Sequence, residues 1–93
     1  MTPSLETALA TLFREAGSAH HQAFTSTNGE DPDWSSWYAR YVGPRLEQLV
    51  GRPFEAHQLT QDLEAMEAAL RSGGGEEPWP EFYARWFRER YSL

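Results

Sequence analysis

A phrase that occurs twice narrows the architectures open to this chain. Trp34-Ser35-Ser36-Trp37-Tyr38-Ala39-Arg40-Tyr41 returns 45 positions later as Trp79-Pro80-Glu81-Phe82-Tyr83-Ala84-Arg85-Trp86. Both copies fit W-x-x-[WF]-Y-A-R-[YW], and together they hold eight of the thirteen aromatic residues. Each copy follows a segment of Gly, acidic residues and Pro: Gly29 to Asp33 before the first, Gly75 to Pro78 before the second. The chain therefore reads as two similar helix–loop–helix halves that bring two aromatic clusters together.

Apolar spacing supports four helices. Leu5, Leu9, Leu12, Ala16, Ala19 and Ala23 keep a three–four interval across residues 4–24, with Ser4 placed to cap and Phe13 and Phe24 widening the stripe. Gly17 within it is a weak point or a close-packing point. Asn28-Gly29 signals a turn, and Asp31-Pro32 or Asp33 suits the start of a second helix. That helix carries Trp34, Trp37, Tyr38, Tyr41, Val42, Arg45, Leu46 and Leu49 on one side, and Gly43-Pro44 predicts a kink or a break in it. After Gly51-Arg52-Pro53, the run Ala56, Leu59, Leu63, Met66, Leu70 is the cleanest helical stripe, stopped by Ser72 to Gly75. Pro80 predicts the opening of the last helix, and Trp79, preceding a proline, is expected outside it. No stretch alternates apolar and polar residues, so the expectation is an all-α four-helix bundle. It comprises one domain over 1–93, with antiparallel hairpins at 4–50 and 54–91 related by a pseudo-two-fold.

Composition removes several function classes. Ninety-three residues allow one modest core. The net charge is −6 and all eight basic residues are arginines, so phosphate backbones are repelled and nucleic acid is a poor partner. No cysteine means no disulfide, thiolate nucleophile or Cys-ligated metal. No apolar run approaches the roughly 18 residues of a membrane span, and the N-terminus lacks a signal-peptide pattern, so a cytoplasmic protein is expected.

Core burial explains the aromatic phrase most simply, with Trp37, Tyr38, Trp86 and Phe87 packed inside and Arg40 and Arg85 outside. Each large ring buried contributes about 2 kcal/mol or more. The same residues could form a protein-binding or self-association surface, or a cage for a cationic or planar ligand. His20-His21, followed by Glu30, Asp31 and Asp33, brings imidazole and carboxylate together, the donor types of a zinc, manganese or iron site. Adjacent histidines on a helix diverge by about 100°, however, and no H-E-x-x-H or calcium-loop pattern exists, so no metal is expected. His20 faces inward or to the boundary, His21 to the side. Ser35 and Ser36 lack a nucleophile elbow, and the Gly73–Gly75 run lacks the Lys and Ser/Thr of a phosphate loop. No catalytic constellation is recognised, and no cofactor is expected.

The segments His20-His21-x-Ala23-Phe24, Gly29-x-Asp31-Pro32-Asp33-Trp34-x-x-Trp37-Tyr38-Ala39 and Pro78-Trp79-Pro80-x-Phe82-Tyr83-Ala84 resemble a group of small bacterial proteins. These share the layout H-x-A, G-x-D-P-D-W-P-x-W-Y-A, P-W-P-x-F-Y-A, and Ser35 stands where the layout has a proline. No activity is established for that group. The resemblance implies a shared fold and one spatial feature uniting the His20–Trp37 stretch with Trp79–Tyr83. The candidate binding residues are His20, His21, Asp33, Trp34, Trp37, Tyr38, Trp79 and Tyr83. The expected role is a small acidic non-enzymatic module that binds a protein partner or itself as a homodimer. A small-ligand or metal-binding bundle is the alternative. The third option is an enzyme, which would use a histidine–aspartate pair.

Overall fold

The computed structural model describes residues 4–27, 30–73 and 77–93; the expected turns at Asn28-Gly29 and Gly74-Gly75 lie outside them. Four helices form a bundle: α1 (Leu5–Ala23), α2 (Trp34–Val50), α3 (Ala56–Gly73) and α4 (Trp79–Tyr91). A short 3-10 turn at Thr25–Thr27 follows α1, and no strand occurs among the described residues. No described helix is long and apolar enough to cross a membrane.

Local chemistry accounts for most helix ends. Ser4 Oγ accepts from the Thr7 N–H at 3.1 Å, satisfying an otherwise orphaned donor of α1. Gly51 closes α2 in the left-handed region, φ 87°, with its N–H on the Glu47 carbonyl at 2.8 Å. Asp33 occupies the N-cap position of α2 without a side-chain capping bond. Asp31 instead accepts the Asp33 N–H at 3.0 Å and shapes the approach to the helix.

Two boundary expectations are corrected: a break at Gly43-Pro44, and Trp79 lying outside the last helix. Helix α2 runs unbroken through Pro44. Arg40 and Pro44 are both exposed, so the Arg40 carbonyl that loses its donor can turn to water. On the inner face, Val42 and Leu46 remain fully packed and carry the helix past the proline. Trp79 is the first residue of α4, not a residue before it, and Pro80 is the second. Pro78 takes the extended N-cap conformation, and its carbonyl receives the Phe82 N–H at 3.1 Å.

Packing is most extensive between α1 and α4 and between α2 and α3, followed by α1 with α2; α3 and α4 make a smaller contact. Leu9 and Phe13 of α1, Leu46 of α2, Leu63 of α3 and Phe87 of α4 are among the sealed core side chains. Ala39 and Ala84, the same position in the two phrase copies, are both buried, and their small size lets neighbouring helices approach. Phe13 meets Tyr83 and Phe87 edge-on, with centroids 5.7 and 6.4 Å away. Contacts of this kind add about 0.5–1.5 kcal/mol each beyond burial. Of the four rings expected inside, only Phe87 is sealed; Trp37, Tyr38 and Trp86 are half-buried. Tyr83, by contrast, is a core residue.

Candidate functional site

The two phrase copies converge through the same two positions. Trp34 and Tyr38 are one turn apart on α2 and meet edge to face, with centroids 5.8 Å apart at 86°. Trp79 and Tyr83 repeat the arrangement on α4 at 5.2 Å and 73°. These four rings and Glu67 of α3 line a recess of about 260 Å³, open to solvent. From α1, Gly17 supplies backbone next to it. A Cβ at Gly17 would lie 2.8 Å from Trp79 Cζ2 and 3.5 Å from Tyr38 Oη, so a side chain there would displace the indole.

The recess is electronegative. Burial, then the Glu67 charge, push the Tyr83 phenol up to about 12, with Arg71 pulling weakly the other way. Burial also raises Tyr38. Both are neutral phenols at physiological pH, and neither hydroxyl makes a hydrogen bond among the described residues. Glu67 pairs with Arg71 one turn along α3, but the Arg71 side chain is 78% exposed. Such a pair is worth only about 0.3–0.5 kcal/mol, so Glu67 remains free to face another cation. Trp34 and Trp79 open their helices, whereas Gly17 and Glu67 each lie six residues before the last residue of theirs.

His20 adjoins this site from behind. It is buried, with Nε2 3.0 Å from Asp31 Oδ2, and both side chains are only 9% exposed. Its ring stacks on Phe24 at 4.6 Å and meets Trp37 and Tyr38 at 5.0 and 5.1 Å. Asp31 in turn holds the Asp33 N–H, so His20 fastens the loop before α2 to the end of α1. This cluster is packed shut. His20 supports the Tyr38 wall and does not line the recess.

The remaining candidates are dispersed. His21 and Asp33 are exposed. Trp37 lies flat on Tyr41, with centroids 5.5 Å apart at 10°, outside the recess. Ser35 is buried and its hydroxyl donates to Glu64 at 2.8 Å, which engages it structurally with α3. Among the described residues, no three His, Asp or Glu side chains come together to hold a metal ion.

Sequence reasoning missed Glu67 as a site residue and left the role of Gly17 open. A signal for Glu67 existed: four residues after Leu63 and three before Leu70, it places a charge on the apolar stripe of α3. Comparison with protein-family models, with curated proteins and with solved structures found no match for this chain.

Proposed function

We propose that this chain is a cytoplasmic, non-enzymatic binding module whose binding element is the recess between the two tryptophan–tyrosine pairs. One observation carries this reading: the same two positions of each repeated phrase line a single recess. Trp34 and Trp79 pack against the core on one side and are only half-buried where they line the recess. The buried His20–Asp31 pair and the engaged Ser35 favour a scaffold over acid–base or nucleophilic chemistry.

A fragment screen followed by the tryptophan indole N–H signals in NMR tests the proposal. Ligands should shift Trp34 and Trp79 and leave Trp37 and Trp86 in place. Ligands that consistently move the other pair would refute it.

Association with a protein partner, or with a second copy, is supported by a different surface. Leu49, 42% exposed, lies with Ala8, Thr11 and Leu12 along a groove between α1 and α2. Native mass spectrometry decides this reading. A dimer that Leu49→Glu dissociates supports it, and a monomer at every concentration argues against self-association.

A further inference from the structure

We propose that the recess binds a small organic cation through a methylated ammonium head, an inference that rests on the recess being the binding site. Four aromatic side chains and one carboxylate line the space. Aromatic rings attract cations through the negative charge of their faces, most strongly for tryptophan. The two ring pairs are each set nearly at right angles, so each makes a corner. Two corners suit a rounded tetrahedral group, whereas a planar base or indole needs parallel faces to lie between.

Charge and size narrow the choice. Glu67 and the −6 net charge favour a positive guest over an anion. The volume of about 260 Å³ is below the roughly 300 Å³ at which pockets for drug-sized ligands begin. A trimethylammonium head fits that limit. An unmethylated ammonium is strongly hydrated and would need several acceptors to replace its water. Methyl groups remove those donors and present apolar, positively charged surface to the rings. A metal ion is disfavoured because the lining offers one carboxylate and no imidazole.

Binding requires Glu67 to turn from Arg71 or to serve both, and the exposure of Arg71 makes that exchange easy. The cation also opposes the field that Glu67 imposes on Tyr83.

The test titrates the full chain with choline and with its neutral isostere 3,3-dimethylbutan-1-ol, following the indole signals of Trp34 and Trp79. Choline should move both signals and bind at least about tenfold tighter than the isostere, the discrimination expected of a partly desolvated cation–π site. Glu67→Gln, checked by circular dichroism for an intact fold, should weaken choline several-fold and leave the alcohol unchanged. Equal binding of choline and the alcohol overturns the cation inference and leaves the recess as an apolar site. No movement of either indole with any probe overturns both. A trimethyl-lysine peptide identifies the source of the head group: tighter binding than choline assigns it to a modified protein chain, weaker binding to a free small molecule.

Discussion

Helices α3 and α4 hold two tyrosine–carboxylate pairs, Asp62 with Tyr91 and Glu67 with Tyr83, set about 12 Å apart along α4. In the first, protein donors enclose the carboxylate. Asp62 is 3% exposed, accepts the Tyr91 hydroxyl and Gln58 Nε2 at 3.0 Å, and has Arg90 Nε at 3.7 Å. In the second, Glu67 pairs only with a solvent-exposed arginine, and the Tyr83 hydroxyl borders the recess without a protein bond among the described residues. Both phenols are raised to about 12. After burial, the main cause is a hydrogen bond to Asp62 at Tyr91 and the nearby charge of Glu67 at Tyr83. The Asp62 network has the form of a completed structural joint, and the Glu67 side has the form of a place left for something else.

Alkali should produce the largest effect on both pairs. An unfolded phenol ionises near 10 and these folded ones at about 12, so the unfolded state loses its protons first. The stability that the two tyrosines contribute should be fully present below about pH 10 and fall as pH rises toward 12; urea titrations across that range measure it. A flat profile would mean that neither phenol is held by the fold. Next in size, Asp62→Asn should destabilise by about 2 kcal/mol, because it weakens a buried charged acceptor with two donors aimed at it. Glu67→Gln should cost less than about 0.5 kcal/mol, as expected for a pair with an exposed partner. Equal costs at the two sites would remove the distinction between joint and recess. Gly17→Ala lies between these. The helix gains about 1 kcal/mol in propensity, offset by displacement of the Trp79 indole, for a net change within about 1 kcal/mol. Its clearer consequence is a shifted Trp79 fluorescence maximum, and an unchanged spectrum would show that the indole does not rest on Gly17.

The helices were largely legible because their signals are local. Ser4 and Gly51 act within one turn of themselves, and the stripe from Leu59 to Leu70 records a face directly. The course of α2 past Pro44 was not legible, since inward packing of Val42 and Leu46 outweighs one missing hydrogen bond. The repeat pointed to Trp34, Tyr38, Trp79 and Tyr83. It did not separate them from Trp37, which stacks on its i+4 neighbour Tyr41, because helix spacing pairs residues along a face without saying which face borders a recess. Asp31 and Asp33 flank Pro32 in the same loop, and it is Asp31, two residues before Asp33, that forms the buried pair with His20.

The slight contact between α3 and α4, set against the extensive one between α1 and α4, governs how the molecule can be assembled. During synthesis α1 emerges well before α4, so Phe13 has no Tyr83 or Phe87 to meet until α4 has been made. Folding therefore waits on a long loop closure and favours all four helices joining as one cooperative unit. However similar the two halves look on paper, neither carries the other side of its own core.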